Sequence, residues 1–159
     1  YRNTKRRKRL LNKSMAWNKV IFILCLSLTL GACTIRRDES EIKYLELGAN
    51  KITVELARTQ LAHYRGLSGR DKLCDDCGML FVFPEPRKTA FVMRDMKFPL
   101  DMIGIREGKV VAVDENAQPE NDTDLTVYQN REVVDYVLEV NAGTVKKLKI
   151  KIGNELSFH

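Results

Sequence analysis

Three carboxylates sit inside otherwise apolar runs of this chain: Asp95 in AFVMRDM, Asp101 in PLDMIGI and Glu139 in YVLEVNAG. A buried unpaired charge costs several kcal/mol, so each must find a partner, stay partly exposed or lose its charge. Arg70 and Arg94 are the candidate partners. Two acids and an arginine at one rim can bind a polar ligand, coordinate a cation or perform acid/base hydrolysis. The alternative is a set of structural ion pairs and backbone-capping carboxylates. The candidate ligand contacts are Arg70, Met93, Asp95, Asp101 and Glu139, with Met93 included because alternation from Phe91 puts it on the face of Asp95. No catalytic residue is assigned. The chain has no Gly-rich phosphate loop, no G-x-S-x-G elbow and no H-E-x-x-H helix. Its one mid-chain histidine, His63, falls on the expected solvent side of a short helix, and no cofactor or metal is expected.

Sulfur is the other source of chemistry. Cys74-Asp75-Asp76-Cys77 reads as a local disulfide if the compartment is oxidising. A metal pair and free or redox-active thiols are the alternatives, but one CxxC without a second Cys/His pair is a poor four-ligand site. Met79, Met93, Met96 and Met102 could add soft ligands for Cu(I). On a strand, however, Met93 and Met96 point to opposite faces, which favours core filling.

The elements that must position these residues centre on 78–105, GMLFVFPEPRKTAFVMRDMKFPLDMIGI. Its three apolar runs are short and rich in Phe, Val, Ile and Met, as buried strands are. Met79, Phe81 and Phe83 share one face and Leu80 and Val82 the other, so this strand is covered on both sides. Pro84–Arg87 and Lys97–Pro99 read as turns, with a strand over Ala90–Met96 between them. Asp101 shares a face with Ile103 and Ile105. Ile42–Leu47 and Ile52–Ala57 are upstream strand candidates, and Thr59 N-caps a helix that Gly66 ends. Downstream, Lys109–Val113, Leu125–Tyr128, Tyr136–Val140 and Glu155–Phe158 are strand candidates, 116–124 is a loop, and Val145–Ile150 is a helical turn. These runs specify a mainly β domain.

GMLFVF, FVMRDMKFPLDMIGI and YVLEVNAG, with VELARTQLAHYRGLSGR upstream, resemble the signature of the domain-of-unknown-function 192 family over Ile52–Ser157. The resemblance implies a sandwich or jelly-roll-like barrel of about seven or eight strands with one or two short helices. It implies no reaction. Arg70, Asp101 and Glu139 fall where the family carries an arginine and two acids. Ser68 and Asp95 depart from it, since relatives carry Met and often Asn there.

The net charge of +6 misleads about the folded part. Residues 1–32 hold eight Lys/Arg and no acid, so removing them leaves −2 for 33–159. Nucleic-acid binding loses its main support, and the remaining 127 residues suit one domain over 42–159. The chain begins with Tyr, and Met15 is a plausible start, because Lys19 and the eleven-residue apolar run Val20–Leu30 follow it. Eleven helical residues span about 16 Å, short of the ~30 Å hydrocarbon core, so the run reads as a signal peptide and a transmembrane span is disfavoured.

Leu30-Gly31-Ala32-Cys33 resembles the bacterial lipobox, in which the Cys is acylated and the chain cut before it. Residues 33–41 then read as a lipidated Cys and flexible tether, and Thr34 in place of Asp points to the outer membrane. The expected location is the cell envelope, lipid-anchored and facing the periplasm. The expected function is a non-catalytic binding module for a small polar envelope component. An Asp101/Glu139 hydrolase and a purely structural domain are the alternatives. Acyl chains carry the anchor at about 0.8 kcal/mol per buried CH₂. Cys33→Ala should therefore release the protein from salt-washed membranes in a fractionation assay, and full retention would contradict lipidation.

Overall fold

Apolar alternation with period two, broken by glycine and proline, builds the sheet. The computed structural model describes residues 42–47, 50–120 and 125–159. The leader, Cys33 and the tether lie outside them, as do residues 121–124 of the loop expected at 116–124. In chain order the elements are β1 (Ile42–Leu47), β2 (Asn50–Ala57), α1 (Gln60–Arg65), β3 (Cys77–Arg87), β4 (Ala90–Phe91) and β5 (Leu100–Arg106). There follow β6 (Lys109–Ala117), β7 (Tyr128–Gln129), β8 (Val134–Asn141), α2 (Thr144–Leu148) and β9 (Leu156–Phe158). Thr59 caps α1 by accepting from Ala62 N at 3.1 Å, and Gly66 closes it. Among the described residues no helix is long and apolar enough to cross a membrane.

Seven strands pair in the order β6-β5-β8-β3-β2-β1-β9, and β4 and β7 form a separate ribbon. The described residues are mainly β, as expected, with two short helices among them. Among the described strands only β2 and β3 pair in parallel, joined by a crossover through α1. The sheet curls into a half-barrel, because the start of β6 reaches the segment before β9. Val110 N donates to Asn154 O at 2.9 Å, and Leu156 N donates to Gly108 O at 2.8 Å.

The strand faces divide the core in two. Leu80, Ile103, Ile105, Leu138 and Val140 join Val110 of β6 and Leu156 of β9 in one cluster, which is the inside of the curl. Met79, Phe81, Met102 and Val137 point the other way and form a second cluster with Leu67, Met93, Met96 and Leu100. Both faces of β3 are covered, as its alternation predicts. Gly78 permits β3 and β8 to close up: a Cβ there would lie 2.9 Å from the Glu139 carbonyl oxygen.

Three local expectations fail for tertiary reasons. Pro84–Arg87 is no turn but the far part of β3, carried as a bulge between the pairs Val82–Tyr136 and Arg87–Val134. The strand expected over Ala90–Met96 stops at Phe91, because its only ladder partner among the described residues is the two-residue β7. Beyond it Asp95 turns the chain at φ +57°, a conformation that Asp tolerates better than most residues. β6 runs on to Ala117, past the expected loop start, through Asn116 at φ +57°.

Asp101 is fully buried inside the curl. Its Oδ1 accepts from Asn116 N and its Oδ2 from Val145 N, both at 2.9 Å. One carboxylate thereby fixes the bend of β6 and the first turn of α2. Asp101→Asn replaces one acceptor oxygen with an NH₂ that faces a backbone N–H. The expected cost is about 1–3 kcal/mol in urea unfolding. An unchanged midpoint would show that this carboxylate does not hold the fold.

Candidate functional site

Alternation on β8 sends Leu138 and Val140 inward and Val137 and Glu139 to the second face. In the ladder Glu139 stands between Met79 of β3 and Met102 of β5. Thioethers donate no hydrogen bond, so neither neighbour answers a carboxylate. Glu139 is 5% exposed. Among the described residues no hydrogen bond or ion pair reaches its carboxyl group, and its oxygens are not sealed off as orphaned buried atoms, so the group opens toward the surface it lines. Burial alone raises its pKa from 4.5 to about 8. Burial thus favours the uncharged carboxylic acid, which can donate one hydrogen bond and accept others.

The acid reaches a cavity of about 680 Å³. Phe81, Phe83 and Phe91 form its aromatic wall, with Phe81 and Phe91 edge to face at 5.0 Å. His63 closes this wall and does not face solvent as expected. It is half-buried, its Nε2 lies 2.9 Å from Ala57 O, and its ring packs 5.1 Å from that of Phe83. Met93 and Met96, expected on opposite faces, are both buried and both line the cavity, because the turn at Asp95 ends the alternation. Backbone contacts fix that turn: Gly69 N donates to Asp95 O at 2.8 Å and Ser68 Oγ donates to Arg94 O at 2.9 Å. The Asp95 side chain is exposed at the cavity edge.

Of the five candidate contacts, Met93, Asp95 and Glu139 therefore line one cavity. Arg70 and Asp101 are committed elsewhere. Arg70 donates from Nη1 and Nη2 to Glu55 Oε1 and Oε2 at 2.6 and 2.8 Å, pinning the loop after α1 to β2. This fork holds the Glu55 carboxyl below its usual range, chiefly through the hydrogen bonds, and raises Arg70 correspondingly. Asp101 faces the inside of the curl, with both oxygens satisfied, so it cannot form an acid/base pair with Glu139 across one cleft. Cys74 and Cys77 are paired as a disulfide, Cα–Cα 5.1 Å, at the entry to β3. Among the described residues no three His, Cys, Asp or Glu side chains gather as a metal site.

Sequence reasoning missed the mouth. Arg65, Arg87, Lys88 and Arg94 are exposed around it and make no ion pair among the described residues. They come from α1, the end of β3 and the turns on either side of β4. The signal was the Arg87-Lys88 pair beside a phenylalanine run, but no local pattern joins it to Arg65 and Arg94.

The fold and cavity define a small curled-sheet domain with a buried acid, Glu139, in an aromatic cleft. The model of the DUF192 family, an uncharacterized ACR, matches residues 43–158, and the chain belongs to that family. It is similar to a solved Sinorhizobium meliloti 1021 protein described as a "putative transcription regulator". Identity is 36% and the TM-score 0.70, over 75% of this chain and 95% of that one. It is also similar to a solved protein of unknown function from Novosphingobium aromaticivorans. There identity is 30% and the TM-score 0.64, over 73% and 83% of the two chains. No curated protein matches the chain.

The titratable or charged groups sharing the cavity with Glu139 are His63, Tyr64, Arg65, Arg87, Lys88, Arg94 and Asp95. None of them offsets the burial of the acid. The unfolded chain gives up this proton near 4.5 and the folded protein near 8. Stability therefore falls as pH rises across that interval. Glu139→Gln should flatten the fall and melt higher than the native protein above pH 8. Superimposable melting profiles against pH would contradict the assignment.

Proposed function

We propose that this protein is a lipid-anchored, periplasm-facing envelope protein, held at Cys33 in the outer membrane, whose domain is a non-catalytic binding module for a small polar molecule. The observation that carries the binding reading is Glu139: an acid with no donor or cation answering it among the described residues, open to a cavity of about 680 Å³. That volume lies within the range of small-molecule sites, which are apolar clefts with a few placed polar groups. Met93 and Asp95 remain candidate contacts; Arg70 and Asp101 leave the set. The envelope location is supported by the signal-peptide pattern and the lipobox-like LGAC. Nucleic acid is a poor partner for the domain, because 33–159 carries a net charge of −2 once the eight leader cations are removed from +6.

A thermal-shift screen of the purified full-length chain against amino sugars, short peptides and organic carboxylates tests this reading. A ligand at a hundred times its Kd should stabilise the protein by about 2.7 kcal/mol. The shift should be lost in Glu139→Leu, which keeps a buried side chain of similar size. No shift with any probe, or a shift that Glu139→Leu leaves intact, would contradict the binding site.

A further inference from the structure

We infer that the cavity takes a ring-bearing organic anion with a hydroxyl or carbonyl group at the end opposite its charge; this rests on the binding reading above and names the ligand class. The argument comes from three zones met in order from solvent.

At the mouth, Arg65, Arg87, Lys88 and Arg94 are exposed and unpaired among the described residues, with Asp95 the one exposed acid among the residues lining the cavity. One exposed cation contributes little, but four around one opening focus a positive field on what enters. A neutral sugar would leave that field unused. Midway, the faces and edges of Phe81, Phe83 and Phe91 form the wall, with the His63 ring tilted 53° to Phe83 and the Met93 and Met96 side chains beside them. Aromatic edges and thioethers suit a flat ring, which stacks or meets them edge to face. At the floor, Glu139 lies flanked by Met79 and Met102. A purely aliphatic or unsubstituted aromatic end would leave this acid unsatisfied, whereas a hydroxyl or carbonyl oxygen would satisfy it.

The two polar zones are chemically opposite and the apolar one lies between them. An occupant that satisfies all three is charged at one end, flat in the middle and neutral but hydrogen-bonding at the other. Asp95 at the edge penalises a second negative charge, so the anion is singly charged at the mouth.

Para-hydroxyphenylpropanoate is a probe with all three features. Phenylpropanoate lacks the distal hydroxyl, and para-hydroxyphenylpropanamide lacks the charge. Isothermal titration of the full-length chain should find the first about tenfold tighter than either analogue. Glu139→Leu should erase the preference for the hydroxyl and keep the preference for charge. Lys88→Ala with Arg94→Ala, both at exposed positions, should do the reverse. Equal affinity for the three compounds, or a hydroxyl preference that survives Glu139→Leu, overturns the inference. If these compounds fail to bind while an amino sugar or peptide gives a Glu139-dependent thermal shift, the ligand class falls and the binding reading stands. If nothing binds, both fall.

Discussion

The middle stretches of β3, β5 and β8 are covered on both faces, so any charge there must be answered inside the protein or given up. They carry two buried acids, one on each face, and the two meet this constraint in opposite ways. Asp101 points into the curl and is answered by two backbone N–H groups, which ties β5 to β6 and α2. Glu139 points to the second face between two methionines and has no partner among the described residues, so burial pushes its pKa up to about 8 and favours the protonated form. The first acid stabilises the fold. The second costs stability wherever the solution would ionise it, and proteins retain such groups mainly where they have a use.

The second face has room for that use because the chain covering it is irregular. A longer β4 would have laid alternating side chains over the sheet and closed it. Instead β4 ends after two residues, Asp95 takes a left-handed conformation, and Met93 and Met96 both turn inward beside an opening. The loop after α1 braces that turn through Ser68 and Gly69, and Arg70 pins the loop in turn through Glu55. Arg70 thus supports the cavity wall without entering it. Ser68, which departs from the methionine of the resembled family, earns its place with a hydroxyl that a thioether could not replace.

What the sequence made legible was local. Thr59 and Gly66 delimit α1 because capping chemistry acts within one turn. The two faces of β3 and the grouping of Asp101 with Ile103 and Ile105 follow from period-two alternation alone. The illegible parts depend on partners remote in the chain. Where β4 stops depends on the length of β7, and the bulge at Pro84–Arg87 depends on the register with β8. Arg70 finds Glu55 only because β2 and β3 run in parallel side by side. The loneliness of Glu139 is a property of its ladder row: were Met79 or Met102 a donor, the acid would be structural. Assigning Asp101 and Glu139 to one site from their shared acidity overlooked that they lie on opposite faces of adjacent strands.

The central claim is that Glu139 is an uncharged acid open to a ligand, and its protonation can be observed directly. Carbon-13 NMR of protein labelled at the glutamate carboxyl carbons should show one resonance that stays in the protonated position at neutral pH and titrates near 8. That resonance should vanish in Glu139→Gln. A set of glutamates that all ionise in the ordinary carboxylate range would contradict the account, because Glu139 would then have a partner or free access to water and the cavity would have no uncharged floor.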